Sequence, residues 1–82
     1  MTIRDLIHRE SETDLAGLAI GLNDNLEEMK AWRKGAEKLK SVKEMYDIKK
    51  GYIRGMISAL YLTHVITEAE FMEILEDIKQ NY

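Results

Sequence analysis

The 82-residue chain contains no proline. Proline removes a backbone donor and clashes with the preceding turn of a helix, so a chain without it has little to interrupt helices. The sequence is rich in Leu, Ile, Met, Glu and Lys and has few runs of β-branched residues that would favour strands. We therefore predict an all-α fold, a small bundle of three to four helices in a single domain covering residues 1–82. A chain of this size buries a modest core, and dimerisation would help to complete the bundle.

The composition also bounds the setting in which the protein works. There is no cysteine, which excludes disulfides and thiolate zinc sites and fits a reducing compartment. The longest apolar-rich stretch, residues 15–22, is too short to span a bilayer and is interrupted by Gly17 and Gly21. We expect a cytoplasmic protein that has no membrane partner.

Apolar spacing and capping signals divide the chain into four helices, which we predict at about residues 3–10, 13–39, 42–64 and 67–80. Thr2 is a good N-cap for the first helix, with Asp5 three residues later. Ser11 or Thr13 can cap the second. Ser41 followed by Glu44 forms a possible capping box for the third helix and favours a turn near residue 40, and Gly35 is the competing site for that turn.

The second predicted helix carries a long apolar stripe formed by Leu15, Leu18, Leu22, Leu26, Met29, Trp32, Ala36 and Leu39. Asn25 falls where the stripe calls for an apolar residue. A break at residues 21–25, with Asn25 and Glu28 capping a fresh start, is therefore an alternative. We favour one continuous helix.

The third predicted helix has an apolar face and a ridge of small residues. The face comprises Val42, Met45, Tyr46, Tyr52, Ile53, Met56, Ile57, Leu60 and Tyr61. Gly51, Gly55 and Ala59 are four residues apart and so lie in one row. Each glycine inside a helix costs about 1 kcal/mol relative to alanine. We predict that close packing of another helix offsets this cost, and a kink or a misplaced helix boundary is the alternative.

The last turn leads into residues Ile66-Thr67-Glu68-Ala69-Glu70-Phe71. Thr67 is the predicted N-cap, Glu70 completes a capping box, and Ile66 is placed to pack on Phe71. This order over residues 58–80 resembles the short C-terminal helical-hairpin module of bacterial proteins, although His64-Val65 stand where that module usually has a small residue. The resemblance implies an oligomerisation or docking element. In size and style the chain also resembles small accessory proteins of phages and mobile elements.

Charge is distributed unevenly along the chain. Formal charges give −5 for residues 1–29, +6 for residues 30–54 and −4 for residues 55–82. We favour the interpretation that antiparallel helices bring these opposite charges together. The alternative is a basic face for nucleic acid, because the nine cations of residues 30–54 are interleaved with Trp32 and two tyrosines. The acidic flanks and the acidic fourth helix argue against that alternative, which we rank second.

The sequence contains no motif for catalysis or for binding a metal or a cofactor. We therefore expect a non-enzymatic module that binds another protein and also forms a homodimer. Its resemblance to phage accessory proteins implies a larger host protein as the partner, such as a defence nuclease complex, which it would inhibit. Simple structural oligomerisation is a further alternative. Tyr, Trp and Arg dominate interface energetics, so the candidate partner-binding residues are Trp32, Arg33, Lys34, Tyr46, Lys49, Lys50, Tyr52, Arg54 and Tyr61. The candidate helix-packing residues are Gly51, Gly55 and Ala59.

Overall fold

The structure is a computed structural model that describes all of residues 1–82. It contains four helices: α1 (Ile3–Glu10), α2 (Ala16–Ala36), α3 (Lys40–Leu62) and α4 (Glu68–Asn81). The predicted all-α class is confirmed. None of the four helices combines the length and the apolar composition that a membrane span requires.

Helices α1 and α4 begin with the predicted capping boxes. The Thr2 hydroxyl accepts the Asp5 amide at 3.1 Å, and the Asp5 carboxylate accepts the Thr2 amide at 3.0 Å. Thr67 and Glu70 make the same reciprocal pair, at 3.1 and 2.8 Å. Each box satisfies backbone donors that the helix itself leaves free, which fixes where both helices begin.

Helix α2 runs without a break through residues 21–25, as favoured from the sequence. The Asn25 amide nitrogen donates to the Gly21 carbonyl at 2.8 Å, so Asn25 bonds back into its own helix instead of capping a new one. Helix α2 begins at Ala16, three residues after the predicted start. Thr13 instead holds a tight turn, in which its hydroxyl accepts the Leu15 amide at 3.1 Å.

The turn between α2 and α3 lies between the two sites expected for it. Helix α2 ends at Ala36, and α3 already begins at Lys40, before Ser41. The Ser41–Glu44 capping box is therefore not formed, and no side chain caps α3. The Gly35 carbonyl accepts the amides of Lys38 and Leu39, at 3.0 and 2.9 Å, and these bonds close the turn.

The core lies mainly between α2 and α3, and α1 and α4 cover its edges. The apolar stripes predicted for the second and third helices were right for the centre of the bundle. They were wrong at the margins of the bundle, where Leu39, Met45 and Tyr52 are exposed. Ala19, which was not on the predicted stripe, is buried. The buried cluster comprises Ile3, Leu6, Leu22, Leu26, Met29, Ile53, Ile57, Leu60, Ile66, Ile74 and Ile78.

The turn between α3 and α4 is a Schellman motif built without glycine. The Val65 amide donates to the Leu60 carbonyl at 2.9 Å, and the His64 amide donates to the Tyr61 carbonyl at 3.1 Å. His64 has φ of 65°, in the left-handed region that favours glycine.

Candidate protein-binding surface

The small-residue ridge of α3 faces solvent. Gly51, Gly55 and Ala59 are all exposed, and a Cβ atom added to either glycine would have no neighbour within 4 Å. The predicted close packing of another helix on this ridge is therefore absent within the chain. Helix α4 packs on a different side of α3, where the rings of Tyr61 and Phe71 stack with their centroids 4.7 Å apart.

Bulky apolar residues flank this ridge and are also exposed. Met45 is 45% exposed, Ile48 50%, Tyr52 59% and Leu62 73%. Together with Gly55 and Ala59 they are separated by steps of three and four residues, which is the spacing of the two apolar rows of a heptad. We call Met45, Ile48, Tyr52, Gly55, Ala59 and Leu62 the α3 outer face.

Helix α3 therefore has two apolar faces that point in different directions. Ile53, Ile57 and Leu60 enter the core, whereas the outer face meets solvent. A helix that is apolar on both sides is typical of one with partners on both sides. The apolar face predicted from the sequence combined residues of both faces and did not include Ile48 and Leu62, although the heptad spacing of these two residues is visible in the sequence.

The candidate aromatic residues fall into different environments. Trp32 is half-buried and lines a hollow of about 260 Å³ with Ser41, Val42 and Met45. The hydroxyl of Tyr46 donates to the backbone carbonyl of Tyr82. Since Tyr61 stacks on Phe71 against the core, Tyr52 is the one candidate tyrosine whose ring lies mainly in solvent.

The basic segment is mostly not neutralised by the acidic flanks. Of its nine cations, Lys49 pairs with Glu28 of α2 at 2.8 Å and Lys43 pairs with Asp47 of its own helix at 3.1 Å, so seven have no carboxylate within 4.0 Å. The interpretation that antiparallel helices pair these charges is therefore wrong for most of the segment. The remaining cations are Lys30, Arg33, Lys34, Lys38, Lys40, Lys50 and Arg54.

The unpaired cations occupy two places. Most lie at the end of the bundle where α2 turns into α3, and there Arg33 donates to the Asn81 carbonyl at 3.1 Å. Lys50 and Arg54 instead line a groove of about 390 Å³ between α3 and α4, together with Lys79 and Met72. Glu76 also lines this groove, so its charge is mixed.

The carboxylates whose pKa values are shifted lie in helix caps and ion pairs. Hydrogen bonds from the backbones of Thr2 and Thr67 lower the pKa values of Asp5 and Glu70, and the Arg4 guanidinium lowers the pKa of Glu27. No group of three or more His, Asp or Glu side chains is arranged to hold a metal ion. The features that remain available for recognition are the apolar outer face and the unpaired cations.

Comparison with protein-family models, with curated proteins and with solved structures found no match to this chain.

Proposed function

We propose that the protein is a non-enzymatic interaction module that binds another protein through the α3 outer face. The observation that carries this proposal is the solvent exposure of Met45, Ile48, Tyr52 and Leu62 at heptad spacing. Exposed apolar surface is unfavourable in water unless a partner covers it, and a strip of this kind suits an apolar helix or groove.

The proposed module has the size of an accessory protein that acts by docking. We propose that it works in the cytoplasm and that its target is a larger protein whose activity it modulates. Inhibition of a host protein by a phage or mobile-element protein is the biological setting that we favour. The size and style of the sequence support that setting, and the exposure of α3 supports the docking surface.

The test compares capture by three immobilised proteins from lysates of candidate hosts. These are the wild type, the double variant Ile48→Glu/Tyr52→Glu, and the control Ile20→Glu, which alters an exposed apolar residue of α2. We expect the wild type and the control to retain the same partner and the double variant to lose it. Equal capture by all three proteins would contradict the assignment of α3 as the binding surface.

Nucleic-acid binding is the second candidate function, because seven cations of residues 30–54 lack a carboxylate partner. Those near the turn between α2 and α3 form a basic end on a protein whose net charge is −3. Phosphate contacts weaken as salt rises. We would measure gel retardation of DNA and RNA by the wild type and by Arg33→Gln/Lys34→Gln at low and at raised salt. Absence of retardation by the wild type at low salt excludes this function.

A further inference from the structure

We propose that the α3 outer face pairs with the same face of a second copy of the chain, with the two α3 helices antiparallel. This inference rests on the proposed function, because it uses the same surface, and it names a second copy of the chain as the occupant when the larger target is not bound. The arrangement is a two-fold dimer in which each copy contributes the same residues.

The order of bulky and small residues on the outer face is self-complementary in the antiparallel direction. When Met45 of one copy is level with Leu62 of the other, Ile48 is level with Ala59 and Tyr52 with Gly55. Each large side chain at the centre then meets a small one. Parallel pairing instead sets each residue against its own copy, so a crowded Tyr52 layer adjoins an empty Gly55 layer, which packs poorly.

Gly55 gains a physical reason in this arrangement. A Cβ at Gly51 or Gly55 would touch nothing within the chain, so packing inside the monomer does not require glycine there. A second helix packed on this face would approach the backbone closely, as small residues at helix interfaces permit. The Tyr52 ring of the second copy would cover Gly55.

The charges around the outer face also favour the antiparallel arrangement. No member of the face is charged, so pairing buries no unpaired charge. Lys49 is engaged by Glu28, and Lys50 and Arg54 line the groove toward α4. Glu44 is exposed and lies close to the beginning of the face. Antiparallel pairing separates the two Glu44 residues by roughly 28 Å along the helix axis, whereas parallel pairing places them at the same level.

The area matches a dimer of modest affinity. The bulky residues of the outer face, between 45% and 73% exposed, offer roughly 500 Å² of largely apolar surface, a size at which a patch on a monomer is often functional. Burying it on both copies removes about 1,000 Å², the lower limit for a specific interface. We therefore expect a dissociation constant of about 1 to 100 μM.

The direction of pairing can be tested with single-cysteine variants, because the chain has no cysteine of its own. Met45→Cys and Leu62→Cys would be oxidised separately and as an equimolar mixture at about 100 μM, where the expected dimer is populated. We expect the mixture to form the Met45→Cys/Leu62→Cys disulfide much faster than either variant links to itself. Met72→Cys on α4, also exposed, gives the background rate.

Faster self-linking of each variant would show a parallel dimer and overturn the arrangement. Linking of the mixture at the Met72→Cys background rate would overturn pairing through α3 altogether. If the wild type stays monomeric but still captures another protein in the lysate experiment, this inference fails and the proposed function stands. If neither binding is seen, both fail.

Sedimentation equilibrium of Gly55→Leu provides a second test. The wild type is expected to move from the 9.5 kDa monomer toward twice that mass as concentration rises. Gly55→Leu should raise the dissociation constant at least tenfold while keeping its helical circular dichroism, because the new side chain has open space in the monomer. Gly17→Leu is the matched control, since Gly17 is exposed on α2, and it should associate like the wild type. Unchanged association of Gly55→Leu would contradict the proposal.

Discussion

The Cγ1 atom of Val42 lies 2.9 Å from the position that a Cβ atom would occupy on Gly35. Gly35 is in the last turn of α2 and Val42 is in the first turn of α3, so this contact sets how closely the two helices approach at their connection. Gly35 is thus the glycine that the monomer needs for packing. Gly51 and Gly55, for which the sequence predicted that role, have no such neighbour within the chain.

Replacing Gly35 with alanine should destabilise the protein. The added methyl group meets a β-branched side chain with little rotational freedom, and this overpacking outweighs the gain in helix propensity by about 1 kcal/mol. Urea unfolding followed by circular dichroism measures the change. Gly17→Ala, in open space, should instead stabilise by about 0.5 to 1 kcal/mol. If both variants gain stability equally, Val42 does not constrain Gly35.

Replacing His64 with glycine should stabilise the protein by about 1 kcal/mol. His64 has a φ of 65°. This conformation costs a residue with a side chain roughly 1 to 2 kcal/mol, whereas it costs glycine little. Part of the stability gained by the substitution is lost again, because glycine has greater freedom in the unfolded chain. Thermal unfolding gives the comparison. His64→Ala, which removes the imidazole but keeps the Cβ, should show no such gain. An equal gain from both substitutions would assign the effect to the imidazole.

Acid should destabilise the protein through the two capping carboxylates. Hydrogen bonds from the Thr2 and Thr67 backbones lower the pKa values of Asp5 and Glu70 below their ordinary values of 3.8 and 4.5. A carboxylate whose pKa is lowered in the folded state stabilises the fold at pH values above its pKa in the unfolded state. This contribution is lost as the pH falls through its pKa in the folded state. The free energy of unfolding should therefore fall between about pH 5 and pH 3.

The double variant Asp5→Asn/Glu70→Gln checks this prediction, because it removes both titrations. Urea unfolding at a series of pH values should give it a shallower decline in this range than the wild type. Glu12→Gln is the control, since Glu12 is exposed and makes no ion pair. A double variant with the wild-type slope would show that other groups control the acid transition.

Replacing Arg9 with lysine should weaken the attachment of α1. The Arg9 guanidinium donates to Glu10 at 2.9 Å, to Glu70 at 3.0 Å and to the Val65 carbonyl at 3.2 Å. Lysine keeps the charge but cannot reproduce three directed hydrogen bonds from one planar group. We therefore expect the free energy of unfolding to fall by about 1 kcal/mol. Urea unfolding gives the value, and Arg54→Lys is the control because Arg54 is exposed and makes no ion pair. Equal stability of the two variants would show that the charge of Arg9, and not its planar geometry, accounts for its contribution.

Local signals in the sequence were sufficient to predict those features of the structure that depend only on residues close together in the chain. The Thr2–Asp5 and Thr67–Glu70 boxes involve residues three apart, so their geometry follows from the helix itself, and both form as predicted. The Ser41–Glu44 pattern failed although it has the same spacing. Packing of Val42 against Gly35 and the bonds to the Gly35 carbonyl draw α3 into a start at Lys40, one residue before Ser41.

The candidate binding surface required more than local information. Residue types and spacing identify Tyr52, Gly55 and Ala59 as unusual, but they do not say which side of α3 meets the core. Which apolar face is left exposed depends on where α2 and α4 pack, and that is decided by the fit of side chains distant in sequence.

The sequence by itself determined the helical class and the two capped helix starts, because these follow from backbone propensity and contacts within one turn. Only the tertiary structure decided that Gly35 rather than Gly55 permits close packing in the monomer, and that most of the basic segment is unpaired. The same packing left the α3 outer face in solvent. The physical reason is that α3 is apolar on two sides, and the rest of the chain packs against only one of them.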